Sequence, residues 1–270
     1  MRLEFTKMNG AGNDFILIDN RAGSVHLSPA QIVRLCSRQR GVGADGLLLL
    51  IPCASGKADW AWQFYNSDGS TADMCGNGAR CFARFIQKLT GVKDAVSFET
   101  GAGVIQAQFH ADRVTVNLTP AHGLKIGEAV PLKQGGALSV HSVNTGVPHA
   151  VVFVADADKA MVQDLGAELR YHPHFAPKGT NVNFVELKGG SAIRVRTYER
   201  GVEGETLACG TGVSASALIS SHVHKLTPPI DVTVQGGDTL VVDFKTDSSG
   251  LTQVSLNGPA DFTFQGVIEV

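Results

Sequence analysis

The chain is written twice. Around Cys75 it reads GSTADMCGNGARCFARF, and around Cys209 it reads GETLACGTGVSASALIS. Each half therefore holds a cysteine in a Cys-Gly-x-Gly turn that runs into small and apolar residues, and the two cysteines stand 134 residues apart. Three further landmarks recur in the same order at nearly the same offset. NGAGNDFILID from Asn9 matches NTGVPHAVVFV from Asn144, RGVGADGLLLL from Arg40 matches KGTNVNFVEL from Lys178, and Tyr65 before the first turn matches Tyr198 before the second. A repeat of 20–50 residues would indicate a solenoid or propeller. A period of about 130 residues indicates instead a duplicated domain, and 270 residues are enough for two of that size.

Local patterning predicts an α/β unit in each half. Runs rich in Val, Ile, Leu and Phe read as strands at Phe15–Ile18, Leu47–Ile51, Val114–Leu118, Val151–Val154, Val182–Glu186, Ile193–Tyr198, Val232–Gln235 and Leu240–Phe244. Ser28–Cys36 reads as a helix with Ser28 as N-cap and Pro29 in the first helical position. Gly76–Leu89 carries Ala79, Phe82, Ala83 and Ile86 at helical spacing, and Thr211–Val223 is apolar almost all round, the pattern of a buried helix. Thr119–Gly136, with two prolines and several glycines, reads as the crossover between halves. The apolar end Ala260–Val270 is expected to return to the first sheet. The domains expected are 1–118 with 257–270, and 119–256.

Composition excludes several classes. Lys and Arg number 23 against 25 Asp and Glu, a net charge of −2 that offers no broad basic field to nucleic acid or an anionic membrane. No apolar run approaches the roughly 20 residues of a membrane-spanning helix, and Met1–Gly10 lacks the apolar core of a secretion signal. Five cysteines, an odd number, do not make a disulfide scaffold and point to a reducing cytoplasm.

A cysteine followed by glycine at a helix start has a chemical meaning. The first N–H groups of a helix are unpaired and its dipole end is positive, which favours a thiolate and an oxyanion alike. CGNG and CGTG thus each supply a reactive sulfur and an anion nest. Two such sites in pseudo-symmetric halves suggest two sulfurs facing one another across a cleft. That is the requirement of stereoinversion without a cofactor: one thiolate takes a proton from one face of a carbon, and a thiol returns one to the other face. The layout calls for no metal and no pyridoxal. Cys36, Cys53 and Cys81 have no such setting and read as packed hydrophobes.

Other motifs rank lower. GVGADG at Gly41–Gly46 has the G-x-G-x-x-G spacing, but a helical segment precedes it and a strand follows, the reverse of the dinucleotide fingerprint. His172/His174 and His222/His224 are metal-like pairs without further ligands in sequence. His149 stands where the first half has Asn13, and Glu199-Arg200 follows Tyr198 as Asn66 follows Tyr65, which marks His149, Glu199 and Arg200 as candidate site residues.

Together these residues resemble diaminopimelate epimerase, a pyridoxal-independent amino-acid epimerase family. The resemblance runs the whole length, through KMNGAGNDF (Lys7–Phe15), YNSDGSTADMCGNGARC (Tyr65–Cys81), VNTGVPHAV (Val143–Val151), GTNVNFV (Gly179–Val185) and RTYERGVEGETLACGTG (Arg196–Gly212). It implies an α/β fold of the α+β type: two pseudo-symmetric domains, each a mostly antiparallel or mixed sheet wrapped around a central helix. It implies a homodimer, no cofactor, and conversion of LL- to meso-2,6-diaminoheptanedioate, a small amino-acid substrate of lysine and peptidoglycan synthesis. Carried over by position, Cys75 and Cys209 are the acid/base thiols. Gly76-Asn77 and Gly210-Thr211 hold the reacting carboxylate, and Asn13, Asn66, Asn181 and Arg200 bind substrate. Glu199 and His149 tune the thiols and contact the reacting end. Two positions depart from the family pattern: Val147 precedes Pro148-His149 where many members have Asn, and Gly46 stands where many have Gln. The competing readings are a related racemase of proline, hydroxyproline or histidine, a non-catalytic amino-acid-binding protein, and a thiol redox sensor.

Overall fold

The computed structural model describes residues 1–247 and 250–270, with side chains described outside 246–252. It divides into two compact units, Met1–Asn117 with Asn257–Val270, and Leu118–Leu256.

The first unit runs β1 (Arg2–Gly10), β2 (Asn13–Asp19), α1 (Pro29–Cys36), β3 (Gly46–Pro52), β4 (Trp60–Asn66), α2 (Gly76–Thr90), β5 (Ala95–Thr100), β6 (Gly103–His110) and β7 (Arg113–Leu118). The second runs β8 (His122–Pro131), β9 (Ala137–Asn144), β10 (Pro148–Phe153), α3 (Val162–Arg170), β11 (Asn181–Gly189), β12 (Ala192–Glu199), β13 (Gly204–Thr206), α4 (Gly210–His224), β14 (Ile230–Thr233), β15 (Thr239–Asp247) and β16 (Gly250–Pro259). The chain ends in β17 (Asp261–Glu269), which pairs antiparallel with β1 from Arg2↔Glu269 to Asn9↔Asp261.

The duplication is visible in the pairing pattern. In the first unit β1–β2 is antiparallel, β2–β3 parallel, β3–β4 antiparallel, β4–β5 parallel and β5–β6 antiparallel. In the second, β9–β10, β10–β11, β11–β12, β12–β14 and β14–β15 repeat that series. β17 joins β1 as β8 joins β9. Each parallel step is bridged by a helix, because parallel neighbours need a crossover. α1 bridges β2 to β3, α2 bridges β4 to β5, α3 bridges β10 to β11 and α4 bridges β12 to β14.

The pseudo-equivalent helices α2 and α4 lie at the centre of their units. α2 packs on β1, β2, β3, β5 and β6, and α4 on β9, β10, β11, β12, β14 and β15. The sheets are covered on both faces, so β3 is a continuous buried run rather than an alternating one. Leu47 and Leu49 pack with Ile32 and Leu35 of α1, while Leu48 and Leu50 point the other way by strand alternation. The α2 side holds a tilted and edge-on cluster of Trp62, Phe64, Phe82 and Phe98. α4 is buried from Gly212 to Ser220 as its composition predicts, and Ser214 and Ser216 donate to Gly210 O at 3.0 Å and Gly212 O at 2.7 Å. Folding these two hydroxyls back on the helix's own carbonyls lets Ser214 and Ser216 sit in a core.

Several expectations need adjusting. The stretch read as a bare crossover contains β8, an edge-like strand exposed along most of its length. β14 stops at Thr233, two residues short of the predicted end, and β10 stops at Phe153, one short. α3, the counterpart of α1, lies where no helix is expected, and β4, β5, β6 and β9 lie where no strand is.

Candidate active site

The first half-site starts from a hairpin. Ala11 and Gly12, both at positive φ (59° and 89°), turn β1 into β2, and Gly12 N–H donates to Asn9 Oδ1 at 2.8 Å. The turn sets Asn13 at the start of β2. Its Nδ2 donates to Asp45 Oδ2 at 2.6 Å, which leaves Oδ1 toward Cys75, whose Sγ donates to it at 3.5 Å. Asp45 is held in turn by Arg38, which forks onto Asp14 at 2.9 Å, and Asp14 also pairs with the buried Lys7 ammonium at 2.8 Å. Burial alone would raise the Asp14 carboxyl, but the Arg38 and Lys7 contacts outweigh it and bring it down to about 2. A carboxylate cluster thus fixes which end of the Asn13 amide meets the sulfur.

Cys75 is the N-cap of α2, with extended backbone (φ −146°, ψ 120°), and its Sγ accepts from Gly78 N–H at 3.5 Å. Asn77 is buried in the first turn; its Nδ2 reaches Asn13 Oδ1 at 3.5 Å and its Oδ1 accepts from Arg80 at 3.0 Å. Arg80 lies fully buried and also bonds Gly76 O and Pro259 O. Gly10 allows β1 this close to α2: a Cβ there would stand 2.9 Å from Asn77 O. Asn66, at the end of β4, bonds the Ser70 hydroxyl at 3.0 Å. A Cβ at Gly46 would meet Phe64 and Tyr65 O at 2.9 Å, so a longer side chain there requires the β4 backbone to move.

The second half-site repeats the plan with different groups. Cys209 is the N-cap of α4 (φ −119°, ψ 106°), buried, with Sγ 3.5 Å from Thr211 Oγ1. His149, at the start of β10 as Asn13 is at the start of β2, is fully buried, and its Nε2 lies 2.9 Å from Thr211 Oγ1. Burial, aided by the nearby Arg200 charge, pushes the imidazole down to about 3, so it is neutral at ordinary pH. Asn181 is also buried. Its Nδ2 donates to Pro148 O at 3.0 Å and its Oδ1 accepts Arg200 N–H at 2.8 Å, so the amide orders the backbone on both sides. Glu199 accepts from the Thr206 hydroxyl at 2.9 Å. The Arg200 guanidinium touches Lys178 O at 3.3 Å, and among the described residues no carboxylate forms an ion pair with it.

The first unit thus gathers Asn13, Cys75, Gly76 and Asn77, with Asn66 on the end of β4. The second gathers His149, Cys209, Gly210 and Thr211, with Asn181, Glu199 and Arg200 on neighbouring strand ends. Cys36 and Cys81 are buried, and burial pushes their thiols to about 11 and about 12. Cys53 is half-buried beside Ser55 and Glu99. His174 bonds Glu128 at 3.2 Å, and His224 stacks edge-on against Phe153.

Comparison with known proteins agrees across the chain. The family profile "Diaminopimelate epimerase" matches residues 5–123 and 141–263. The diaminopimelate epimerase of Aquifex aeolicus is 44% identical over 98% of this chain and 97% of its own, and that of Hydrogenobaculum sp. is 44% identical over 97% of each. The chain belongs to the diaminopimelate epimerase family.

Solved structures share the fold at low identity. A Bacillus anthracis phenazine biosynthesis protein of the PhzF family aligns with a TM-score of 0.75 at 15% identity over 100% of both chains. A hydroxyproline epimerase from Agrobacterium vitis aligns with a TM-score of 0.74 at 17% identity, over 99% of this chain and 92% of its own. As a diaminopimelate epimerase family member the chain is an isomerase with two pseudo-symmetric domains.

Residues that the sequence analysis does not name lie one or two contacts behind those it proposes. Asp45 orients Asn13. Asn183 bonds His149 Nδ1 at 3.2 Å, and Thr197 bonds Asn183 at 2.9 Å. Asn183 had two available signals: it stands five residues after Lys178 as Asp45 stands five after Arg40, and it stands two residues after Asn181, so strand alternation puts it on the same face.

Proposed function

We propose that this chain epimerises LL-2,6-diaminoheptanedioate to the meso isomer by a two-thiol mechanism, each unit being one epimerase half. The observation that carries the reading is the pair of N-capping cysteines at equivalent helix starts, in a chain 44% identical to named diaminopimelate epimerases over nearly its whole length. One thiolate abstracts the α-proton, and the electron pair spreads onto the α-carboxylate. That oxyanion is stabilised by N–H groups at Gly76-Asn77 and Gly210-Thr211, where helix ends present unpaired donors. The other thiol delivers its proton to the opposite face, and the two sulfurs exchange roles in the reverse direction. Arg200 receives the distal carboxylate through a charge-assisted fork, supported by its lack of a carboxylate partner among the described residues. Asn13, Asn66, Asn181 and Glu199 complete the substrate contacts, and the reaction needs no cofactor.

We also infer a cytoplasmic homodimer. Two thiols that must both work as acid and base suit a reducing compartment. Phe262, Phe264 and Val267 on β17 are 40–47% exposed, an apolar strip that a second copy would cover. A monomeric mass in sedimentation equilibrium would refute the dimer.

The test of the reaction is proton NMR of LL-diaminopimelate in deuterated water under reducing conditions. Wild type is expected to incorporate α-deuterium while forming the meso isomer, and Cys75→Ala and Cys209→Ala are expected to form none. Wild type that leaves diaminopimelate untouched overturns the substrate, and proline, hydroxyproline and histidine become the next substrates to try.

A further inference from the structure

We propose that Asn183 is a positioning residue for Cys209: it locks His149 in one tautomer, and the locked imidazole turns the Thr211 hydroxyl hydrogen onto the sulfur. The inference rests on Cys209 being a working thiol, as the proposed function has it.

The orientation of Asn183 follows from its neighbours. It is fully buried on β11, and its Nδ2 lies 2.9 Å from Ala150 O, an acceptor with no hydrogen to give. That end of the amide is therefore nitrogen. The Oδ1 end accepts from the Thr197 hydroxyl at 2.9 Å, where β11–β12 register sets Asn183 opposite Thr197. The second Nδ2 hydrogen points to His149 Nδ1 at 3.2 Å. Nδ1 thus accepts, and a neutral imidazole that accepts at Nδ1 carries its proton on Nε2. Nε2–H donates to Thr211 Oγ1 at 2.9 Å, so the hydroxyl is an acceptor there and has its own hydrogen to give. Cys209 Sγ lies 3.5 Å from that oxygen.

The direction of the whole chain is set by one backbone carbonyl. Thr197 donates to Asn183, Asn183 to His149, His149 to Thr211, and Thr211 to the sulfur. A donor on Sγ favours the thiolate. His149 in this arrangement orients; it carries no proton to or from Cys209, consistent with an imidazole neutral well below physiological pH.

The helix start is shaped to admit the network. A Cβ on Gly212 would stand 2.3 Å from Asn183 Oδ1 and 3.3 Å from His149 Cε1. The second glycine of the CGTG turn is where Asn183 and His149 press against α4. In the first unit the matching Gly78 is under no such constraint, its Cβ position reaching only ordinary contact at 3.4–3.5 Å.

Two measurements test this without substrate, so their failure is separable from failure of the epimerase reading. Long-range proton–nitrogen NMR of wild type, with His149 assigned by its loss in His149→Gln, is expected to show Nε2 protonated and Nδ1 bare from pH 6 to 9. A protonated Nδ1 overturns the proposal. The second measurement is iodoacetamide alkylation at pH 7, resolved by mass spectrometry at Cys209 and Cys75. Thr211→Val is expected to slow Cys209 roughly tenfold, one pH unit in thiolate population, with Thr211→Ser restoring it. Asn183→Leu is expected to slow Cys209 in the same sense, while Cys75 keeps its wild-type rate in all three variants. Wild-type alkylation of Cys209 in Thr211→Val, or equal slowing of both cysteines, overturns the relay. If Asn183→Leu fails to fold, the wild-type tautomer and the Thr211 pair still decide.

Discussion

Arg200 is the side chain on which the proposed substrate most depends. Among the described residues no carboxylate pairs with this cation, whose N–H is anchored by Asn181, and that supports the proposal that it takes an acid group supplied from outside. Arg200→Met keeps length and removes the fork. A charge-assisted bidentate contact of roughly 1.5–3 kcal/mol then leaves, which raises KM for diaminopimelate roughly tenfold to a hundredfold. Steady-state kinetics check this, and an unchanged KM would remove Arg200 from the substrate contacts. The two cysteines, and Asn13 with His149, are singled out in the sequence because the duplication marks each pair twice, whereas Arg200 has no like residue in the first half. Asp45 and Asn183 are marked only faintly, each five residues into the repeated landmark that begins at Arg40 and Lys178, and Thr197 is not marked at all. Each acts by orienting an amide or imidazole through strand register, and register exists only once the sheet is paired.

Among the elements, legibility followed apolar pattern. β2, β3, β11 and β12 are buried and β-rich, and α1, α2 and α4 announce themselves by capping and spacing. β8 has no such face, being exposed at most positions, and β1 mixes charges with its apolar residues because Lys7 is a buried partner of Asp14. α3 hides for a different reason. Met161 gives it no side-chain cap, and Gly166 sits in its interior. That glycine is a packing requirement: a Cβ would stand 2.6 Å from Tyr198 Cβ on β12, beneath the helix. Alanine in a helix interior ordinarily gains about 0.8–1 kcal/mol over glycine. Here overpacking of about 1–3 kcal/mol opposes it, and neither backbone Cβ can swing aside. Gly166→Ala is therefore expected to lower the thermal midpoint, and a raised midpoint in calorimetry would show that α3 can lift off Tyr198.

At the scale of the whole molecule the duplication preserves pairing order while the two units diverge in charge chemistry, and acid should expose the difference. Asp14 anchors the first unit's cluster. Its folded value of about 2 lies below the ordinary carboxylate value, so its contribution is present above pH 4 and is lost as pH falls toward 2. His149 anchors the second. Its folded value of about 3 lies below the usual 6.5, so the unfolded chain binds a proton that the folded unit excludes as soon as pH drops below 6.5. Each unit of pH below that point costs the second unit about 1.4 kcal/mol, so pH 5 removes about 2 kcal/mol. His141 on β9, also lowered by burial, adds to the loss in the same direction. Between pH 7 and pH 5 the second unit should therefore weaken while the Asp14 cluster holds. Hydrogen exchange, corrected for the intrinsic pH dependence of amide exchange, should show protection falling in β10, β11 and α4 but not in β2, β3 and α2. Equal loss in both units would mean that they open together and that the penalty is not local to His149, and unchanged protection in both would mean that His149 takes up its proton without disturbing the core.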